Sequence, residues 1–275
     1  MKDTEKKTKK IKKHSKIQKP EYDGKERVIN EKTSFDTVET YKSIRTKIMF
    51  SMPKTDKGKI VVITSSSPGE GKTTTSSNLA ITFAQMGAKV LLMDCDLRKS
   101  RVHRCFEIDR KDGITNVLCG FSEFENAVKR NVRENLDCIT SGEIPPNPAE
   151  LLESEEFENL LESLKEKYDY IFIDTPPMTV VTDATVVMKN ATGVVVVVRQ
   201  NMTTYDLLDY TMADIEKTGI KILGFVILGS EEKSKKYGYY KKNKYGYKYG
   251  YKYGYKYGYR YKYDYKYGDD VSAKK

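Results

Sequence analysis

Residues 66–73 combine glycines, a lysine and a threonine in a spacing that suits binding of the phosphates of a nucleoside triphosphate. The stretch SSPGEGKT fits G-x-x-x-x-G-K-[ST] except that Ser66 takes the first position. Glycines let backbone N–H groups turn toward phosphate oxygens, and a helix that follows would add partial positive charge. In such a motif Lys72 would bridge the β- and γ-phosphates of ATP, and the Thr73 hydroxyl would ligate Mg²⁺. The predicted nucleotide-binding residues are Ser67, Pro68, Gly69, Glu70, Gly71, Lys72, Thr73 and Thr74.

Three aspartates stand at the ends of two predicted buried strands. VLLMDCDLRKS supplies Asp94 and Asp96, which point the same way in an extended chain because they are two residues apart. YDYIFIDTPP supplies Asp174, and the prolines after it force a turn. Ligands of open α/β sheets bind beyond the carboxyl ends of the strands. We therefore expect the three carboxylates to converge on the metal of the nucleotide, with solvation at the surface as the alternative for each one alone.

The elements that must position these side chains alternate along the middle of the chain. Short β-branched runs followed by helical patterns predict an α/β fold of the P-loop NTPase type, with a mostly parallel sheet covered by helices on both faces. The predicted strands are residues 59–64, 89–94, 136–140, 170–174, 193–198 and 222–228. The predicted helices are residues 72–86, 148–167, 183–189 and 205–218.

A further helix is predicted before the first strand, over residues 35–50. Val38, Tyr41, Ile44 and Ile48 recur in steps of three and four residues and form one apolar face. This face suits packing onto the chain's own sheet and equally a contact with another subunit.

Charge divides the 275 residues into three segments. The net charge of +10 arises at the ends, since residues 1–33 carry +6, residues 231–275 carry +9 and the middle carries −5. We predict a basic flexible arm (1–33), a P-loop domain (34–230) and a disordered tail (231–275). The arm suits a solvated segment or contact with anionic lipid head groups.

Cysteine spacing and apolar run lengths indicate the compartment. The four cysteines form no C-x-x-C pair, which predicts reduced thiols and neither a zinc site nor a disulfide framework. The longest run of Val, Ile and Leu covers only residues 194–198, far below the ~20 residues of a membrane span. The N-terminus also lacks the apolar segment of a signal peptide. We expect a cytoplasmic chain.

The tail is a tyrosine repeat. From Tyr245 a Tyr-Gly-Tyr-Lys unit recurs every four residues, and glycine in each unit opposes both helix and sheet. Each of the fifteen tyrosines of this segment offers a hydroxyl that can accept a phosphoryl group: Tyr237, Tyr239, Tyr240, Tyr245, Tyr247, Tyr249, Tyr251, Tyr253, Tyr255, Tyr257, Tyr259, Tyr261, Tyr263, Tyr265 and Tyr267.

Together these motifs resemble the bacterial tyrosine kinases that regulate capsular and exopolysaccharide synthesis. PGEGKT is similar to the family's Walker A motif, DCDLRKSRVH to its Walker A′ and IFIDTPP to its Walker B. SGEIPPNPAELL, VTDA and VVVRQNMTTYD resemble further family segments. ETYKSIRT resembles the Glu-x-x-Arg-x-x-Arg element through which members close rings. Glu39 and Arg45 match it, while Lys42 replaces the first arginine and cannot reproduce its planar two-pronged bond.

The resemblance implies an ATP- and Mg²⁺-dependent protein-tyrosine kinase that phosphorylates the tail of a neighbouring subunit. In the family's roles, Lys72 is catalytic, Asp94 and Asp174 organise Mg²⁺, and Asp96 is the favoured base, although Asp94 remains open for that role. Arg98 and Lys99 suit either a phosphate or acidic partner, or a solvated turn. The implied partners are further copies in a ring, a separate transmembrane adaptor that recruits the chain to the inner face of the plasma membrane, and a tyrosine phosphatase.

Two other functions fit parts of the sequence. A ParA- or MinD-like ATPase, which switches partners, shares the fold and nucleotide site, but that group has a signature lysine where this chain has Ser67. Tyrosines that stack on bases, with lysines that meet phosphates, would also suit single-stranded nucleic acid. We expect no nucleic-acid partner, because no recognised nucleic-acid-binding motif accompanies the tail.

Overall fold

The computed structural model describes residues 28–55 and 57–230, so the phosphoacceptor tail and most of the basic arm lie outside the described residues. Within these ranges seven strands form one sheet in the order β3-β4-β2-β5-β1-β6-β7. Only β3 runs antiparallel to its neighbour, which confirms the mostly parallel sheet. The strands are β1 (Lys59–Ser65), β2 (Val90–Asp94), β3 (Lys129–Arg133), β4 (Leu136–Ile139), β5 (Tyr170–Asp174), β6 (Gly193–Arg199) and β7 (Ile222–Leu228).

Nine helices connect and cover the strands in the described part of the chain. The long helices at residues 35, 72 and 205 begin where the sequence predicts them. They are α1 (Phe35–Ser51), α2 (Lys72–Ala84), α3 (Val102–Phe106), α4 (Ile114–Leu118), α5 (Phe124–Ala127), α6 (Pro148–Leu152), α7 (Glu155–Lys165), α8 (Asp183–Met188) and α9 (Tyr205–Lys217).

The prediction of one helix over residues 148–167 is wrong. The chain breaks between α6 and α7 at Ser154, whose hydroxyl accepts the Phe157 N–H at 3.3 Å and donates to the Leu151 carbonyl at 3.0 Å. A serine that caps a new helix competes with continuation of the old one. The break lets Leu152 and Phe157 both reach the core.

Two apolar layers sandwich the sheet, because successive strand residues point to opposite faces. In β1, Ile60 and Val62 belong to one layer, and Val61 and Ile63 belong to the other. Helix α2 lies in the second layer, where the Phe83 ring meets Tyr170 and Phe172 edge-on at centroid distances of 4.5 and 5.0 Å. Burial on both faces explains why these strands read as continuous apolar runs.

Helix α1 also packs on the second layer. Tyr41 and Ile48 are buried, and Val38 and Ile44 pack beside them, so the predicted apolar stripe covers the chain's own domain. Val28 and Ile29, which the sequence analysis placed in the arm, are buried in the same layer. Across residues 28–55 and 57–230, the helices are too short or too polar to span a membrane.

Replacing Phe83 with alanine should test the importance of the second layer. The side chain is fully buried, so the lost contacts and the cavity should lower the free energy of unfolding by about 3–5 kcal/mol. Urea denaturation of the full chain measures this change. Phe121→Ala is the matched control, since its ring is 82% exposed, and equal losses in the two variants would contradict the layer's role.

Candidate active site

The loop between β1 and α2 has the backbone geometry of a phosphate cradle. Gly69 and Gly71 adopt φ angles of 84° and 101°, in the left-handed region that favours glycine. Gly71 also caps α2, and a Cβ atom there would lie 2.5 Å from the Leu228 side chain. Lys72 and Thr73 therefore open a 13-residue helix directly after a turn that only glycine fits. An anion at this helix start would meet backbone N–H groups.

Glu70 holds the cradle in shape. Its buried carboxylate accepts the Ser67 N–H at 3.1 Å and the Thr203 hydroxyl at 2.5 Å. The Thr211 hydroxyl donates to the Ser66 hydroxyl at 2.8 Å. The loop before α9 and α9 itself thus brace the cradle. Sequence reasoning missed Thr203 and Thr211, because no local pattern signals a contact across more than 130 residues.

Asp174 lies directly beside the cradle. Its Oδ2 atom accepts the Thr73 hydroxyl at 2.7 Å, while its buried Oδ1 atom has no hydrogen-bond partner among the described residues. Burial and the Asp94 carboxylate raise the pKa of Asp174 to about 8, although the Lys72 ammonium and the Thr73 hydroxyl oppose this shift. An unpartnered buried carboxylate oxygen next to a threonine hydroxyl fits a Mg²⁺ site, since Mg²⁺ takes oxygen ligands.

Asp94 is the neighbour of Asp174 across the β2–β5 pair, at matching positions. It accepts the Ser100 hydroxyl at 2.7 Å and the backbone N–H groups of Asp96, Arg101 and Val102 at 3.1–3.2 Å. Burial raises its pKa to about 6 despite these hydrogen bonds, and the nearby Asp96 carboxylate adds to the shift. Asp94 therefore holds the backbone that follows β2 through these hydrogen bonds, and it lies opposite Asp174 on the neighbouring strand.

Asp96 faces the cleft itself. It is 8% exposed and accepts only the Lys99 N–H, at 2.9 Å, among the hydrogen bonds of the described chain. The structure thus brings together Lys72, Thr73, Asp94, Asp96 and Asp174 at the carboxyl edge of the sheet.

A cleft of about 190 Å³ opens between these groups and the turn after β5. Asp96 and the Pro176–Pro177 turn line it, together with six residues of the predicted nucleotide set: Pro68, Gly69, Gly71, Lys72, Thr73 and Thr74. Arg98 lies on its rim and binds Asp183 with two nitrogens at 2.9 and 3.1 Å. Asp183 is fully buried, so this ion pair ties the segment after β2 to α8.

The three residues of the ring-type element lie on α1. Lys42 pairs with Glu39 at 2.9 Å, and both side chains are about half exposed. Arg45 turns inward and donates to the Thr82 carbonyl at 2.5 Å. Glu39 and Lys42 are accessible to another subunit, and Arg45 braces α1 against α2.

The chain matches characterised proteins over this domain. Residues 58–219 match the AAA domain family model. The chain is 42% identical to tyrosine-protein kinase YwqD of Bacillus subtilis over 74% of its own length and 85% of that protein. It is 35% identical to tyrosine-protein kinase Etk of Escherichia coli over 70% of its own length, but this covers only 26% of Etk.

Solved structures match the same part of the chain. The kinase domain of Escherichia coli ETK has a TM-score of 0.68 and 34% identity, and the match covers 76% of this chain and 80% of that domain. Septum site-determining protein MinD of Pyrococcus horikoshii, complexed with Mg-ADP, has a TM-score of 0.54 and 27% identity, and covers 62% of this chain and 70% of its own.

Asp174→Asn should change how stability depends on pH in Mg²⁺-free buffer. The folded carboxyl, with a pKa of about 8, holds its proton more tightly than the unfolded one near 3.8. The contribution of Asp174 to wild-type stability should therefore be highest near pH 4 and fall as pH rises toward 8. The uncharged variant should be more stable than wild type at pH 8 by at least about 1 kcal/mol, and nearly equal at pH 4.

Urea denaturation at both pH values measures the difference. Asp209→Asn is the matched control, since that carboxylate lies on the exposed face of α9. Parallel pH profiles for wild type and Asp174→Asn would contradict the buried, proton-retaining carboxyl.

Proposed function

The chain belongs to the bacterial tyrosine-protein kinases, and we propose that it transfers the γ-phosphate of ATP to the tyrosines of its own tail. The enzyme is a protein-tyrosine kinase of the AAA domain family. The tail is the proposed substrate because one chain contains both the phosphate-binding cleft and fifteen closely spaced tyrosines.

ATP and Mg²⁺ suit the groups around the cleft. The cradle N–H groups and Lys72 would bind the β- and γ-phosphates, and Thr73 and Asp174 would hold Mg²⁺, with Asp94 behind them. When bound, Mg²⁺ neutralises charge that develops on the transferred phosphoryl group. The unpartnered Asp174 Oδ1 atom supports this assignment, because a cation would remove the cost of burying it.

Asp96 is the better candidate for the base. A tyrosine hydroxyl has a pKa of ~10 and needs a carboxylate to take its proton as it attacks. Asp94 already accepts four hydrogen bonds, whereas Asp96 accepts one and lines the cleft. Asp96 would thus receive the phenol proton, and Asp94 would orient the loop that carries Asp96.

The tail can reach an active site. Strand β7 ends at Leu228, on the same carboxyl edge as the cleft, and four strand spacings separate β7 from β2. This separation is roughly 19 Å at ~4.8 Å per strand. The fifteen residues that follow Ser230, up to Tyr245, would span up to ~50 Å when extended, so chain length permits transfer within one subunit and between subunits. We propose transfer between subunits of a ring that uses the exposed Glu39–Lys42 pair of α1.

The cellular role follows from the family resemblance. We propose that the kinase regulates the synthesis and export of capsular or exopolysaccharide, that a transmembrane adaptor recruits it from the cytoplasm and activates it, and that a tyrosine phosphatase resets it. The domain organisation into arm, kinase domain and tail is part of the same proposal.

A MinD-like partner-switching ATPase is less well supported. Ser67 replaces the signature lysine of that group, and its N–H binds Glu70 within the same loop. Both identity and TM-score are lower for MinD than for the ETK kinase domain.

Lys72→Met should lower the rate of tyrosine phosphorylation by about 100-fold or more, because it removes the cation that meets the transferred phosphate. Phosphotyrosine blotting of purified full chain with ATP and Mg²⁺ measures the loss. Lys189→Met is the matched control, since Lys189 is exposed and pairs with Glu153 on the surface. Labelling of Lys72→Met at the wild-type rate would contradict the assignment of the cleft.

Replacing all fifteen tail tyrosines with phenylalanine should abolish autophosphorylation and leave ATP-analogue affinity within about twofold of wild type, because the cleft lies outside the tail. Mass spectrometry locates any remaining phosphate. Tyr205 and Tyr210 are 88% and 70% exposed on α9 and serve as internal acceptor controls. Label at these positions equal to the wild-type total would contradict the tail as main substrate.

A further inference from the structure

Basic side chains line part of the cleft beyond the phosphate cradle. They belong to the segment after β2 and to α3, and we call them the basic wall: Arg98, Lys99, Arg101 and Arg104. All four side chains are exposed. Arg101 is the residue directly before α3 and Arg104 lies within this helix, and both line the cleft. Two prolines and two valines from residues 176–181 line the same cleft and offer apolar surface to an aromatic ring.

Most of the charge on the basic wall is uncompensated. Arg98 is neutralised by its two-nitrogen contact with Asp183. Within residues 28–55 and 57–230, Lys99, Arg101 and Arg104 form no ion pair with a carboxylate, and the one acidic side chain that shares their cleft is Asp96. The Arg104 and Arg110 charges also contribute, after burial, to a lowered pKa for His103. Like charges gathered without partners beside a phosphotransfer cleft suit a dianionic ligand.

We propose that Lys99, Arg101 and Arg104 bind phosphotyrosine in the tail, so that a chain already phosphorylated once is retained while its next tyrosine enters the cleft. This inference rests on the proposed function. The wall repels the lysines of the unmodified tail, which carries +9, and would attract the tail locally at a tyrosine that bears a phosphate. Each phosphate brings about −1.5 to −2 charges and three acceptor oxygens.

The tail's spacing suits such retention. Tyrosines occupy every second position from Tyr245 to Tyr267, so successive rings in an extended chain are ~7 Å apart. A phosphotyrosine on the wall would therefore hold the next tyrosine ~7 Å away along the chain, beside the cleft that Asp96 also lines. The reaction remains ordinary transfer: the phenol oxygen gains the phosphoryl group, ADP leaves and the phenol proton goes to Asp96.

A phosphate bound at the wall could belong to the tail or to the nucleotide, and the two possibilities predict different results. The test uses full-length wild type, Arg101→Gln/Arg104→Gln and the matched control Arg110→Gln/Lys111→Gln, which removes two charges outside the cleft lining. Reactions are stopped at an average of about one phosphate per chain, and intact mass counts phosphates on each chain. Wild type and control should give more unmodified and more multiply modified chains than random addition does, whereas the wall variant should approach a random distribution, with about equal shares of unmodified and singly modified chains.

Binding separates the two sources. Dephosphorylated proteins are titrated with AMP-PNP and with a peptide of residues 249–257, with and without phosphate on Tyr253. Phosphate should raise peptide affinity about tenfold for wild type and control and less than about threefold for the wall variant, with AMP-PNP affinity within about twofold throughout. Identical phosphate distributions in all three proteins, or equal losses of AMP-PNP and phosphopeptide affinity, would overturn the inference.

The proposed function can fail separately. If no protein forms phosphotyrosine, the kinase assignment of the tail fails, while the peptide titration still decides whether the wall recognises a phosphomonoester. If phosphotyrosine forms with the same distribution in every protein, the kinase assignment stands and the retention site alone is excluded.

Discussion

The burial of two neighbouring carboxylates is the constraint on which the active site depends. Asp94 and Asp174 occupy matching positions on neighbouring parallel strands, and neither is exposed to solvent. Burial raises the pKa of Asp94 to about 6 and that of Asp174 to about 8, and a nearby carboxylate adds to each rise, Asp96 for Asp94 and Asp94 for Asp174. The Lys72 ammonium and the Thr73 hydroxyl offset part of the rise for Asp174. A divalent cation and a bound triphosphate would complete the compensation, which links substrate binding to the stability of the sheet edge.

The two apolar layers make this arrangement possible. Since helices cover both faces of the sheet, β2 and β5 are buried along their whole length, including their last residues, Asp94 and Asp174. Helix α2 begins beside that edge and packs its Phe83 ring on β5, so the cradle and Asp174 belong to one rigid unit. The Glu70–Thr203 hydrogen bond extends this unit to the loop before α9.

Sequence predicted the features whose determinants are local. Six of the seven strands and the start of α2 follow from β-branched runs and a glycine turn, which act within a few residues. Strand β3 was missed because KRNVR is polar and mostly exposed at the sheet edge. Contacts of Asp183 with Arg98 and of Thr203 with Glu70 join residues 85 and 133 positions apart, so only the fold brings them together.

Charge of opposite sign in the domain and the tail implies two stages of attraction. Residues 34–230 carry 23 basic and 28 acidic side chains, so the domain as a whole favours the unmodified +9 tail. About five or six phosphates, at −1.5 to −2 each, bring the tail to neutrality, and more reverse its sign. Long-range attraction between the domain and the tail thus weakens as phosphorylation proceeds. The proposed short-range attraction between tail phosphates and the basic wall strengthens at the same time. The Debye length is ~8 Å at physiological salt, so attraction between charges that lie farther apart is largely screened. Direct contact between the phosphate and the wall should therefore dominate once the first phosphate is present.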